Sequence, residues 1–310
     1  MFYKENFSMK TRYILILGAL LMLATQDISA QQDPQYTQYM YNMNVINPAY
    51  AGSKESLSVG ALYRDQWSGV QGAPQTFTFN AHSPLGKGFG AGLFGINDQN
   101  GPVDQTNVFA DLSYTLDLGK SSKLAFGLKA GATFQSIGFT DLYFQDEMDP
   151  AFQEDVDETY ASVGGGLLFY TDKFYVGLST PNVLRSTHLE TNGNEFGSQE
   201  RHYFLTAGYV FEVNDFIKFK PSTFIKSEFS SAVSFDVNAN FMFYDKFEVG
   251  ASYRYEDAIS ALASVRPTDW MQVGFAYDAT QSSLREPSYE AFVIFDIFFK
   301  KKTYVSPRYF

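Results

Sequence analysis

The sequence predicts an all-β protein: a transmembrane antiparallel β-barrel of about fourteen strands, preceded by a short N-terminal periplasmic helix and turn. Three observations predict it. An export signal opens the chain, a long series of segments with period-two alternation follows, and the connections between those segments alternate in length. Composition agrees. The 310 residues include 21 Tyr, 31 Phe and 24 Gly, so 17% are aromatic, and the formal net charge is -11. A soluble domain of ordinary composition rarely looks like this. Barrels of the outer membrane carry aromatic girdles at both lipid interfaces. The acidic balance excludes nucleic acid as a partner, because phosphate recognition needs a basic face.

Residues 1–30 read as a signal peptide. Lys4, Lys10 and Arg12 precede the apolar run 13–24, and small residues lead to Ala30, with Ile28 at the minus-three place. Cleavage there starts the mature chain near Gln31. No later stretch approaches the roughly 20 uninterrupted apolar residues that a membrane-spanning helix requires, so a helical membrane protein is excluded. The chain has no cysteine, which excludes a lipoprotein anchor and any disulfide.

Residues 31–55 form a leading segment, expected in the periplasm. Asp33 followed by Pro34 is a helix start, an N-cap acceptor and then a ring fixed near helical φ. Tyr36, Met40 and Met43 follow at helical spacing, and Asn47-Pro48 ends the run because a residue before proline avoids the helical region. A short amphipathic helix is therefore expected ahead of a turn at Gly52, which tolerates positive φ.

Residues 56–299 are expected to form the barrel, and residues 300–310 a periplasmic tail. In residues 122–136, Leu124, Phe126, Leu128, Ala130, Ala132 and Phe134 fall on one face, opposite Lys123, Gly127, Lys129, Gly131, Thr133 and Gln135. Residues 232–243 and 246–256 repeat this alternation. A soluble sandwich could show the same alternation, so the connections decide. Those around Leu85, Gly119, Asp172, Asn214, Asp245 and Thr268 are short, and the interleaved set includes the longer 97–104, 137–158, 180–199 and 279–287. Short periplasmic turns against longer extracellular loops are the barrel pattern, and it places both chain ends in the periplasm.

Lipid requires the apolar face outside, so the polar face lines the lumen. This assigns Arg64, Asp111, Lys129, Asp236, Glu248, Arg254 and Arg266 to an inward polar network, with Lys218, Lys220, Lys226, Asp278 and Asp296 in the same phase. Opposite charges confined together pair rather than stay unsatisfied, so the reading is a cross-linked or partly plugged interior rather than an open pore.

Residues 33–53, DPQYTQYMYNMNVINPAYAGS, closely resemble the N-terminal signature of the PorP/SprF family of the type IX secretion system and gliding motility. Gln35, Tyr39, Met40, Asn47, Pro48, Ala49, Tyr50, Ala51 and Gly52 fall as that family places them. Tyr63, Arg64, Gln66 and Trp67 look like its YRxQW element in the first strand, and residues 307–310 like its PRYF-type end. The resemblance implies a multi-pass outer-membrane protein that acts with the type IX translocon and its periplasmic, motor-linked ring. It also implies support for export or surface attachment of cargo such as a surface adhesin. Two readings of the signature then stand. One is a structural cap that packs on the periplasmic mouth or enters the lumen; the other is a docking surface for partners, made by Gln35, Tyr39, Met40, Asn47, Pro48, Ala49, Tyr50 and Gly52. The cap is the preferred reading, and the two are compatible.

Catalysis and metal binding find little support. His82, His188 and His202 stand far apart with no metal-ligand spacing, and no GxSxG element or other nucleophile motif is present. The acidic run 141–158 lacks EF-hand spacing and reads as a solvated loop. Gly164, Gly165 and Gly166 lack the Lys-Ser/Thr of a phosphate loop and read as close strand packing or a bulge. No enzyme activity and no cofactor are expected. The competing functional class is a small-molecule channel or hydrophobic-solute transporter, which a barrel of this size would also suit.

Overall fold

The computed structural model describes residues 36–119, 121–138, 155–183, 190–191, 194–195, 201–228, 233–281 and 286–299. Fourteen strands form one closed antiparallel barrel. They are β1 (Ser56–Asp65), β2 (Gln75–Gly86), β3 (Phe89–Asn100), β4 (Val103–Asp117), β5 (Lys123–Ile137), β6 (Val156–Tyr170) and β7 (Phe174–Thr180). Then come β8 (His202–Tyr209, continued after Val210 by Phe211–Asn214), β9 (Ile217–Glu228), β10 (Ser234–Phe243) and β11 (Phe247–Arg254). The last three are β12 (Ala258–Thr268), β13 (Met271–Thr280) and β14 (Ser288–Phe298). Each strand pairs with its neighbours in sequence, and β14 returns to β1 in a ladder running from Ser56 opposite Phe298 to Asp65 opposite Tyr289. Closure answers a physical demand, because hydrocarbon cannot hydrogen-bond an open strand edge.

The alternation sets which way each side chain points. On β5, Leu128 and Phe134 face outward and are exposed, while Lys129, Thr133 and Gln135 are buried. On β10 and β11, Val237, Phe241, Val249 and Tyr253 face out, and Asp236, Asn238, Asn240, Glu248, Ser252 and Arg254 face in. Outward aromatics gather at both ends of the wall. Phe211, Phe216, Tyr244, Phe247 and Trp270 stand beside the short turns, and Tyr63, Phe77, Phe134, Tyr253, Tyr255 and Tyr289 stand toward the opposite rim. These are the girdles of a barrel seated in a bilayer.

Short connections at 87–88, 118–122, 171–173, 215–216, 244–246 and 269–270 share one end of the barrel with the start of β1 and the end of β14. One expected loop is corrected. Residues 97–104 are strand at both flanks, joined by the tight turn Gly101–Pro102, with Gly101 at φ 57°. Their polar composition mimics a loop, but strands that continue above the hydrocarbon are wet on both faces and need no apolar side. Similarly, Asp157 and Glu158 belong to β6 rather than to a loop. Residues 141–154 of the acidic run, the signal peptide and the tail at 300–310 lie outside the described residues.

Loop parity gives a topology that can be tested. An epitope tag inserted between residues 146 and 155 should be stained by antibody on intact cells, and one at Asp172 only after the outer membrane is permeabilised. Staining with the opposite polarity would invert the barrel.

Candidate functional site

The leading segment lies inside the barrel. It breaks into a 3-10 turn at Tyr39–Tyr41, a single helical turn α1 at Met43–Ile46 and a second 3-10 turn at Pro48–Tyr50. This corrects the expectation of one amphipathic helix, whose proposed start at Asp33 and Pro34 lies outside the described residues. The reason is the surroundings. A helix on a surface needs a polar face, whereas this segment has barrel wall all round it, and Tyr36–Met40 and Asn42–Ala51 are all buried. The backbone groups that so broken a chain cannot satisfy internally find partners on the wall instead.

Asn47 organises the sharpest part. It is extended, at φ -134° and ψ 111°, as a residue before proline must be. Its side-chain oxygen accepts from Ala49 N at 2.9 Å, and its amide donates to the Leu167 carbonyl at 3.0 Å. The turn then passes so close to the wall that the strands beneath it carry glycine. A Cβ on Gly127 would sit 2.1 Å from Ala49 N, one on Gly166 2.2 Å from Asn47 Oδ1, and one on Gly90 2.3 Å from Ala51 O. Gly52 itself has φ 72°, so its left-handed conformation is one that glycine adopts without strain. The glycine run on β6 is thus close packing, as expected, with the lumen segment rather than a neighbouring strand as its partner at Gly166.

Wall side chains hold the rest of the segment. Glu290 on β14 accepts from Thr37 N at 3.0 Å and Gln38 N at 2.7 Å, and its carboxylate also meets Arg64 of β1 at 3.1 Å. Arg64 reaches Asp278 of β13 at 2.9 Å, and Asp278 takes the Thr37 hydroxyl at 2.6 Å. Arg64 stands directly opposite Glu290 in the closing ladder, so one charge cluster joins β13, β14, β1 and the leading segment. On the adjoining arc, Arg254 grips Asp236 through Nε and Nη2, both at 3.0 Å, and also contacts the Tyr36 carbonyl at 3.4 Å. Lys129 donates to Val45 O at 2.5 Å with its ammonium 4.3 Å from the Phe94 ring centre. Ser179 and Ser113 donate to Ile46 O and Ala51 O at 2.9 and 2.6 Å.

Aromatic and aliphatic contacts fill the space between. Tyr39 stacks on Phe224 at 4.9 Å, Tyr41 on Phe292 at 4.4 Å, and Tyr50 meets His82 edge-on at 5.5 Å. Met40, Met43, Val45, Ile46 and Ala49 join a core with Leu62, Phe94, Leu168, Phe204 and Ile294 of the wall. Fully burying a side chain of Met or Ile size contributes about 1.5–3 kcal/mol, so the docked state rests on packing as well as hydrogen bonds.

The structure places every residue named from the sequence as a site residue except Gln35. Tyr39, Met40, Asn47, Pro48, Ala49 and Tyr50 are enclosed in the lumen, Gly52 is half-buried, and Gln35 lies outside the described residues. In this arrangement the enclosed side chains present no surface to a periplasmic partner. Arg64, Asp111, Lys129, Asp236, Glu248 and Arg254 are buried in the lumen and Arg266 is half-buried there. Arg254 pairs with Asp236; Lys129 stands opposite Asp111 in register but gives its hydrogen bond to Val45 O. Glu248 accepts from Asn240 at 2.8 Å, and Arg266 donates to Gln272 at 3.2 Å. In the YRxQW element, Tyr63 and Arg64 lie in β1, whereas Gln66 and Trp67 lie past its end, with Trp67 at φ 48°.

Glu290 was missed, as were the inward aromatics Phe94, Phe204, Phe224 and Phe292. A signal for them exists. Phe224 shares the inward phase of Lys220 and Lys226, and Phe292 that of Asp296, and an apolar ring in a polar lumen implies something apolar to meet it.

A family profile described as "Type IX secretion system membrane protein PorP/SprF" matches residues 28–298. The chain belongs to the PorP/SprF family. It is accordingly an outer-membrane barrel component of type IX secretion, and it is not of a known enzyme class. No protein of curated function is detectably similar to it. Solved structures resemble it at low identity. The CymD monoaromatic hydrocarbon channel is 11% identical with a TM-score of 0.49, over 84% of this chain and 93% of that one. The toluene transporter TbuX of Ralstonia pickettii is 13% identical, TM-score 0.48, over 83% and 93%. The Acinetobacter baumannii outer membrane protein Omp33 is 10% identical, TM-score 0.44, over 78% and 98%. At these values nothing about solutes transfers to this PorP/SprF chain.

Two substitutions test how the segment is held. Gly166→Val on the lumen wall should expel the Asn47 turn while leaving the strand ladder paired, seen as new protease cleavage between Tyr41 and Gly52 in a barrel that still migrates as folded before heating. Arg64→Ala strands the buried carboxylates of Asp278 and Glu290, an effect of about 3–5 kcal/mol. It should lower the temperature at which the barrel loses heat-modifiability, and an unchanged transition would show that the cluster does not hold the closure.

Proposed function

We propose that this chain is a plugged, non-enzymatic accessory barrel that supports export or surface attachment of cargo proteins such as adhesins. In this reading it is delivered by a cleaved signal peptide at 1–30 and works with the type IX translocon and its periplasmic, motor-linked ring. The observation that carries the reading is the filled lumen. A solute channel needs a continuous open path, whereas Tyr39, Met40, Met43 and Tyr50 fill this lumen with a hydrophobic core continuous with the wall. A wall built around a permanent occupant is suited to holding protein partners on its surfaces rather than to passing small molecules.

The signature residues act first as the lock of that plug. A docking role for Asn47, Pro48 and Tyr50 requires the segment to leave the lumen. Both roles make the segment necessary for function by different routes.

Reconstitution and co-purification test the reading together. The wild-type barrel should give no steady open current in a planar bilayer, and native pull-down from outer membranes should recover ring components and a large secreted protein. Replacing Asn47, Pro48 and Tyr50 with Ala should loosen the plug, produce open-channel current and reduce cargo at the cell surface. Steady solute-selective current from the wild type, with no secretion component recovered, would establish the channel alternative instead.

A further inference from the structure

The leading segment passes through the lumen in one direction, and its contacts fix which. Its first described residues meet the wall at the end opposite the short turns. The Tyr36 hydroxyl shares a hydrogen bond with Thr78 at 2.8 Å, near the start of β2, and Arg254, the last residue of β11, donates to the Tyr36 carbonyl. Thr37 is held by Arg64, Asp278 and Glu290, each within two residues of that same end of β1, β13 or β14. Asn42 and Val45 then meet Asn80 and Lys129 at mid-strand. At the last, a Cβ on Gly52 would crowd Ser83, Pro84 and Gly90 beside the short connection 87–88. Lys54 pairs with Asp296 at 3.4 Å, two residues from the short-turn end of β14.

We propose that the amino end of the leading segment emerges at the cell-surface mouth, so that the processed chain displays its N-terminus outside the cell and crosses the lumen inward to β1. Loop parity makes the end opposite the short turns the outer one. This replaces the expectation of a leading segment held in the periplasm. Two arguments keep the chain ahead of Tyr36 from turning back. Tyr39, Met40 and Met43 are at most 2% exposed, in a core shared with Leu62, Phe224 and Phe292, so the described residues leave no room at that height for a second pass of backbone. Reach is short as well. Gln32 lies four residues ahead of Tyr36, about 14 Å at full extension, whereas the eight residues from Arg64 back to Ser56 cover about 20 Å along the axis of a barrel whose strands tilt by roughly 40°. Residues 31–35 are Gln, Gln, Asp, Pro and Gln, with no large apolar side chain to draw them into the wall. With the plug seated, this end is open to a polypeptide partner outside the cell and closed to the periplasmic ring. The sidedness does not rest on the secretion reading.

The chain has no cysteine, so single cysteines report sidedness when cells making the full-length protein are treated with a bulky, membrane-impermeant maleimide. Gln32→Cys should label equally before and after the outer membrane is permeabilised. Glu55→Cys, exposed at the other end of the segment, should label only afterwards, together with Asp172→Cys as the marker of the short-turn side. Heat-modifiability of each variant shows that the barrel is folded. Labelling of both Gln32→Cys and Glu55→Cys only after permeabilisation would return the amino end to the periplasm. A Gln32→Cys thiol that reacts only in denatured protein would leave that end enclosed. Either result overturns display at the surface. The reverse pattern, with Glu55→Cys and Asp172→Cys labelled on intact cells and Gln32→Cys not, would invert the barrel and overturn it too, while keeping the one-way crossing.

Discussion

Hydrocarbon offers no hydrogen bonds, and almost everything in this molecule follows from that. It forces the strands into a closed ladder and turns the apolar phase of each strand outward. What remains inside is a confined space lined with lysine, arginine, aspartate and glutamate, which is costly unless every charge finds a partner. The leading segment answers that second problem. Its backbone N–H groups satisfy Glu290, its carbonyls receive Lys129, Ser113 and Ser179, and its aromatic rings cover Phe224 and Phe292. Wall and filling are thus one core, and neither is complete without the other.

How much of this was legible depended on whether a local pattern carried it. Period two fixed the phase of β5, β10 and β11 because lipid on one side and lumen on the other make the alternation strict. It failed at residues 97–104, where both faces meet water and no alternation exists to read. The leading segment misled for the opposite reason: Tyr36, Met40 and Met43 do sit at helical spacing, but a chain enclosed all round has no use for a polar face and breaks where the wall offers better bonds. Contacts between Asn47 and Gly166, or Gln38 and Glu290, span more than a hundred residues, and nothing local announces them. The resemblance located the segment that matters, but not which side of the barrel wall it would occupy.

The charge cluster at the closing strands links two events that are usually considered apart. Arg64 and Glu290 face one another across the ladder that closes the barrel, and both bind Thr37. Closure and docking therefore stabilise the same state, and a chain without its leading segment would bring these buried charges together with fewer of their partners. This ties the N-terminal signature to folding as well as to any contact it makes in the periplasm.

The short strand β7 also affects the lipid around it. A strand needs roughly 9–11 residues to cross the hydrocarbon at a barrel's tilt, and β7 has seven. Where a strand is shorter than the hydrocarbon is thick, the surrounding leaflet thins to meet it, at a cost of a fraction of a kcal/mol per ångström of mismatch. The wall is thus uneven in the plane of the membrane, with a strand of seven residues at β7 and one of fifteen at β5.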